Sequence, residues 1–305
     1  METEFLSWLR ARLPDHPRFL LGPGDDAAVL RLAGDHCVVT SDMLNDGTDF
    51  ISGQSDWRLV GRKALAVNLS DLAAMAARPI AAVVSLLLPR QGGLQIAQAM
   101  YGGLLDLADE FDLPIAGGDT NTWDGRMVIS VTAIGQTTEN GFWRRSGARA
   151  GDHILVTGHF GGSILGRQFS FVPRVREALQ LNAEYRIHAA TDVSDGLTLD
   201  LSHILESSAC GAELRMDWIP VSEDARRLAD NAGEGPSSAL EHALGDGEDF
   251  ELILAVPPDD ATRLLQEQPL GVPISRIGQF VHEPGLWQVE AGGTRLPLPP
   301  RGFRH

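Results

Sequence analysis

The feature that most constrains the fold is a run of ten residues, IAAVVSLLLP at 80–89, that carries no charge. It is too short to span a bilayer, which takes roughly 20 apolar residues. Its β-branched and leucine content instead reads as a strand covered on both faces. Similar apolar runs recur along the 305 residues and alternate with helical sequence. The first half reads as strands at about 26–32 and 36–41, helical sequence at about 56–78 interrupted by the polar Asn68-Leu69-Ser70-Asp71, and the 80–89 strand. A helix at about 93–111, a short strand ending at Gly117-Gly118 and a strand at 127–135 complete it. Residues 2–13 place Phe5, Leu6, Leu9 and Leu13 on one helical face, and Pro14 stops that turn.

The polar, glycine-punctuated RRSGARAGD (144–152) marks a boundary, giving two expected domains, 1–143 and 144–305. The second half repeats the style of the first, with strands at 153–158, 212–216, 250–256 and 273–279, helices at 174–190 and 197–208, and an extended, proline-rich strap at 296–303. The expected class is α/β (α+β), each domain a mixed sheet with packed helices.

Short acidic segments, most beside glycine, punctuate these apolar elements: GPGDDAAVL (22–30), TSDMLNDGTD (40–49), NLSDLAAMAA (68–77), AGGDTN (116–121), DVSDGLTLDL (192–201) and GDGEDFELIL (245–254). Singly, each is ordinary turn or helix-cap chemistry. Together they place carboxylates at strand ends, where crowding raises each neighbour's pKa and calls for a cation. Magnesium, a hard ion shared between carboxylates and substrate phosphates, fits. A net charge of −16 argues against nucleic acid as a partner. The acidic N-terminus is unlike a signal peptide, and no run is long enough for a membrane span, so the expected compartment is the cytoplasm.

Neither a P-loop nor a GxGxxG turn opening a helix is present, and no Gly-x-Ser-x-Gly elbow or HExxH motif occurs. Gly158-His159-Phe160-Gly161-Gly162-Ser163 can cradle a phosphate or serve only as a turn. Arg144 and Arg145 are the natural phosphate-gripping guanidinia. Without an activated nucleophile, direct in-line phosphoryl transfer is the favoured chemistry, since it requires positioning and charge neutralisation. A short echo, G-x-G-[DE]-D, occurs at 22–26 and 245–249 and reads either as chance or as two related sites.

The stretches GxGDDAA (22–28), KALAVNLSDLAAM (63–75), GGDT (117–120), RSGARAGD (145–152), DVSDGL (192–197) and GEDFEL (247–252) occur in an order that resembles the thiamine-monophosphate kinases. These belong to the superfamily that also contains aminoimidazole ribonucleotide synthetase. The resemblance implies transfer of a phosphoryl group from ATP to thiamine monophosphate by a homodimer using several Mg²⁺ ions. It implies metal ligation by Asp26, Thr40, Ser41, Asp42, Asp71, Asp119, Asp192 and Asp195, with Asp71, Asp119 and Asp195 at the reacting centre. It further implies nucleotide contacts from Tyr101, Gly118, Arg145 and Ser194, and thiamine contacts from Glu248 and Phe303. Where the family carries a substrate-contacting histidine before a phenylalanine, this chain has Asp49 before Phe50, and the segment between Gly162 and Pro173 is shorter than usual. Other readings of the same residues are a divergent superfamily enzyme with another acceptor and a catalytically silent nucleotide- or thiamine-phosphate-binding protein.

Overall fold

A computed structural model of the chain describes residues 19–21, 25–31, 36–231, 238–290 and 292–303. The helix expected at 2–13 and the first glycines of the echo, Gly22 and Gly24, lie outside the described residues. The first half contributes β1 (Phe19–Leu21), β2 (Ala28–Arg31), β3 (His36–Asn45), α1 (Trp57–Ala74), β4 (Arg78–Pro89), α2 (Gly93–Glu110), β5 (Ile115–Trp123) and β6 (Val128–Gln136). The strands form one sheet in the order β1-β2-β3-β6-β4-β5, with β4 and β5 parallel and the other neighbours antiparallel.

The second half contributes β7 (His153–Thr157), α3 (Arg167–Ser170), α4 (Val175–Glu184), β8 (Ala189–Asp192), α5 (Leu197–Ser208), β9 (Gly211–Arg215), α6 (Glu223–Asn231), α7 (Ala239–Gly245), β10 (Leu252–Val256), α8 (Pro258–Glu267), β11 (Ile274–Val281), β12 (Gly285–Val289) and β13 (Arg295–Pro297). Its sheet runs β13-β12-β9-β11-β7-β10-β8 and is also mixed, with β12 parallel to β9. Among the described residues no helix is long and apolar enough to cross a membrane.

Several expectations are corrected. Helix α1 is not interrupted at 68–71. Asn68 donates to the Ala64 carbonyl one turn back (3.1 Å) and Ser70 donates to Asp192 of the second half (2.5 Å), so both polar side chains find an acceptor inside a continuous helix, although the Asn68 Oδ1 is buried without a partner. The helix starts at Asp56, whose carboxylate accepts the Arg58 N–H, and stops where Ala76 turns left-handed at φ 49°. β5 does not end at its glycines but stays paired with β4 as far as Trp123. The helix expected at 174–190 stops at Glu184, because 189–192 is needed as the edge strand beside β10.

The strand covered on both faces is β10 rather than β4. Leu252, Leu254 and Val256 enter one apolar core while Ile253 and Ala255 enter the other. On β4, Ala82, Val84, Leu86 and Leu88 are buried, but Ser85 is exposed and Ile80 is 42% exposed. The alternation runs across the sheet, so Met43 on β3 is 63% exposed on the same open face while Val38 and Leu44 point inward.

The first core ignores the sequence boundary, joining Leu69, Met75, Val84 and Ile129 to Leu252, Leu254 and Ile274. Helix α1 makes this possible, because it packs on β3 and β6 and also on α4 and β8. Its buried residues accordingly run nearly all the way round. It also lies tightly on α2: a side chain at Gly61 would strike the Met100 carbonyl, and one at Gly103 the Arg58 carbonyl.

Candidate active site

The two sheets meet where three acidic segments converge. Asp26 precedes β2, Asp71 sits in the last turn of α1 and Asp192 ends β8. One carboxylate oxygen from each lies within 4.8 Å of the others. Hydroxyls set their orientation: Thr40 donates to Asp71 (2.5 Å), Ser70 to Asp192 (2.5 Å) and Thr191 to Asp26 (3.0 Å). Arg145 grips Asp26 in a fork, Nη2 to Oδ1 at 2.5 Å and Nε to Oδ2 at 3.1 Å, while its backbone N–H donates to Asp25 (3.0 Å).

Burial and like charge act together here. Asp71 is held well above the ordinary carboxylate range, first by burial and then by Asp42, Asp192 and Asp26. Burial, followed by Asp26, pushes Asp192 up to about 7. Asp42 and Asp25 each rise to about 6, burial again leading, followed for Asp42 by Asp49 and Asp26 against the hydrogen bond with Asp71, and for Asp25 by Asp26. Buried carboxylates that resist ionising together, ringed by hydroxyl oxygens, form a hard, oxygen-only donor set that fits a magnesium ion and offers nothing to a soft metal.

Of the residues expected at this centre, the structure brings together Asp26, Thr40, Asp42, Asp71, Asp192 and Arg145. Ser41 is not among them. It alternates to the opposite face of β3, where it hydrogen-bonds Thr132 (2.9 Å). Asp119 likewise pairs with Ser85, which pairs with Ser130, placing it on the open face, where its carboxylate accepts the Thr120 N–H (2.9 Å). Gly118 is exposed on the same edge strand, and Tyr101 is half-buried on α2 against the first core. Asp25, Ser70 and Thr191 are the members of the centre that sequence reasoning did not assign. The first stands in the GDD motif and the second in NLSD, but Thr191 has no sequence signal.

A second group lies beside it. The Ser194 carbonyl accepts the Glu248 N–H (2.7 Å), and the Asp195 carbonyl accepts the Phe303 N–H (2.9 Å), so the 192–196 loop, the 246–250 loop and the C-terminal strap are tied backbone to backbone. This requires Gly247, at φ 75°, where a side chain would come within 2.7 Å of the Ser194 carbonyl. Glu248 and Phe250 are themselves left-handed, and the Phe250 ring stacks on Phe171 at 4.1 Å. Phe303 leaves its ring half exposed. Asp49 uses Oδ2 to cap its own turn, accepting from Asn45 N (2.8 Å) and Nδ2 (3.2 Å).

The glycine loop at 158–163 resolves as a turn rather than a phosphate cradle. Gly161 N–H donates to both oxygens of Asp249 (3.0 Å each) and Gly162 N–H to Asp246 (2.9 Å). The chain's own carboxylates thus take the place an anion would fill. Asp249 is also bonded to Ser163 (2.7 Å) and Arg167. The echo therefore leads to unlike surroundings. Asp26 and Asp249 each hold an arginine, but among the described residues Asp26, and not Asp249, belongs to a carboxylate triad whose oxygens lie within 4.8 Å of one another.

The chain matches two family models in succession, AIR synthase related protein, N-terminal domain, over 24–137, and AIR synthase related protein, C-terminal domain, over 145–286. A curated relative, the thiamine-monophosphate kinase of Rhodopirellula baltica, is 42% identical over 100% of this chain and 97% of its own length. The crystal structure of thiamine-monophosphate kinase from Stenotrophomonas maltophilia K279a is 34% identical, with a TM-score of 0.74 over 93% of this chain and 95% of that one. AaThiL complexed with AMPPCP and TMP has the same fold, with a TM-score of 0.81 over 100% of this chain and 95% of that one at 24% identity. With full-length identity of this order and the family's acidic segments meeting in one buried centre, the chain belongs to the thiamine-monophosphate kinase family.

Proposed function

We propose that the protein transfers the terminal phosphoryl group of ATP directly to the phosphate of thiamine monophosphate, giving thiamine diphosphate and ADP. The observation that carries this reading is the convergence of Asp26, Asp71 and Asp192 at one largely buried centre in a chain of this family. Magnesium held there, with Asp42 and Thr40 alongside, would neutralise phosphate charge. The protein's own groups do the positioning. Thr40 and Ser70 fix the orientation of Asp71 and Asp192, and Arg145 is pinned by Asp26 at the rim of the centre with a side chain one-fifth exposed. An oxygen of the acceptor phosphate attacks the terminal phosphorus as the bond to ADP breaks, with no enzyme-bound intermediate.

The nucleotide is assigned to Ser194 and Arg145, with Gly118 and Tyr101 carried from the family resemblance, and metal contacts outside the acidic centre to Asp195 and, on the open face of the first sheet, to Asp119 and Ser41. The family relative complexed with AMPPCP, an ATP analogue, and TMP supports both substrates. The acceptor is assigned to the tied loops. A cationic thiazolium suits a carboxylate, Glu248, and an exposed aromatic face, Phe303, that are bonded to adjacent carbonyls of one loop. Asp49 adds negative charge on that side.

The two halves, 1–143 and 144–305, act as metal-binding and site-completing domains of a cytoplasmic homodimer. Dimerisation through the open face of the first sheet would cover Met43 and Ile80 and bring Ser41, Gly118 and Asp119 under a partner. The test is ADP formation with and without thiamine monophosphate, in wild type and in Asp71→Asn. The expected result is acceptor-dependent, magnesium-dependent turnover that falls by at least about a thousandfold in the variant, as the loss of groups stabilising a transferring phosphoryl does. A folded Asp71→Asn protein with undiminished turnover would refute the assignment.

A further inference from the structure

Lys63 lies on α1, and its side chain is completely buried. Its ammonium has three donors and three acceptors, each from a different segment. They are the Asp49 main-chain carbonyl (3.0 Å), Gln168 Oε1 on α3 (2.7 Å) and the Glu248 carboxylate. The Phe169 ring closes over it at 5.1 Å. An ammonium removed from water is tolerable only when its hydrogen-bonding capacity is met, so these three partners cannot move independently. Glu248 gives one oxygen to Lys63 while its side chain remains one-third exposed.

We propose that Lys63 is the positioning residue of the acceptor subsite, a buried ammonium that holds the turn at 45–50 and the carboxylate of Glu248 in fixed relation to each other. This rests on the reading of Glu248 as the group that meets the cationic acceptor. Lys63 touches no reacting atom. It cancels one of the two carboxylate charges on that side and sets the direction of the exposed Glu248 oxygen. The contact to position 49 is made to a main-chain carbonyl, which every residue possesses. The link to the turn is therefore indifferent to whether aspartate or histidine stands there, and the Asp49 carboxylate is free to cap its own turn.

The experiment compares wild type with Lys63→Met, Lys63→Arg, Glu248→Gln and the Lys63→Met/Glu248→Gln double variant. Initial rates are measured against thiamine monophosphate and against ATP, and amide hydrogen exchange is measured on each protein without substrates. For Lys63→Met the acceptor KM is expected to rise at least about tenfold with the ATP KM within about twofold. Exchange should accelerate in 45–50 and 246–250 together while 158–163 is unchanged. Lys63→Arg should recover part of the acceptor KM. In the Glu248→Gln background, Lys63→Met should add less than about threefold, because the lysine acts through that carboxylate.

Equal rises in both KM values, or full additivity in the double variant, would overturn the proposal. So would exchange that stays slow in either segment. If Lys63→Met does not fold, the Lys63→Arg and Glu248→Gln rates and exchange decide the matter, and an unchanged acceptor KM in both overturns it. A wild type without thiamine monophosphate kinase activity defeats the functional reading instead. In that case the exchange result alone decides whether the Lys63 link exists.

Discussion

Replacing Asp192 with asparagine separates the structural cost of the acidic centre from its use. The carboxylate is buried, ends β8 and is held at about 7 against an ordinary value of 3.8. The folded chain therefore keeps a proton that the unfolded chain releases between about pH 4 and 7. Folding stability falls as pH rises through that window and levels off above it. At about 1.4 kcal/mol per pKa unit, the ionised group at pH 8 costs on the order of 4 kcal/mol. Asp42 and Asp71 redistribute protons when Asp192 is removed, so Asp192→Asn recovers on the order of 1–3 kcal/mol, or roughly 2–5 °C in Tm. The amide keeps an oxygen to accept the Ser70 hydroxyl, so the packing contact survives. Thermal melts in EDTA should show the variant more stable than wild type at pH 8, with the gain falling to less than half at pH 5 and disappearing below about pH 4. Adding magnesium at pH 8 should raise the wild-type Tm and leave the variant nearly unmoved. A variant less stable than wild type in EDTA at pH 8, or a gain of equal size at both pH values, would refute the argument that carboxylate crowding strains this centre.

Two further outcomes follow from the fold. Met43→Glu puts a charge into the centre of the open sheet face, so sedimentation should show a dimer for wild type and a monomer for the variant, whereas a monomeric wild type removes the dimer proposal. Gly247→Ala forces a side chain against the Ser194 carbonyl at a left-handed position. It should cost at least about 1–3 kcal/mol in a denaturant melt, and a neutral result would show that the tie between the 194 and 248 loops is slack.

The carboxylates of the centre are legible in the sequence because several acidic segments recur beside apolar runs, which together call for a cation though each alone is ordinary turn chemistry, and Asp26, Asp71 and Asp192 do meet. Ser41 could have been set apart from them by parity. Alternation along β3 cannot turn Thr40, Ser41 and Asp42 to one side, and the strand runs on to Asn45. Asp119 follows the same parity on β5. Other features have no local signature. Lys63 looks like a solvated lysine in an alanine-rich helix, and its partners Gln168 and Glu248 are 105 and 185 positions away. The glycine loop cannot be told from an anion cradle by sequence because the carboxylate that fills it, Asp249, is 88 positions distant from Gly161. The apolar run at 80–89 is a strand, as its residues indicate, but only the second sheet supplies cover on both faces, at β10.

Lys63 and Asp71 stand on one unbroken helix, eight residues apart. At 1.5 Å of rise per residue their backbone positions are separated by roughly 12 Å, and nothing short of melting α1 can alter that interval. The helix is thus a ruler. If the proposed acceptor subsite and acidic centre are both in use, a small molecule bearing a cation at one end and a phosphate at the other would be measured against it, and compounds with the right end groups but a shorter or longer spacer would be selected against by length.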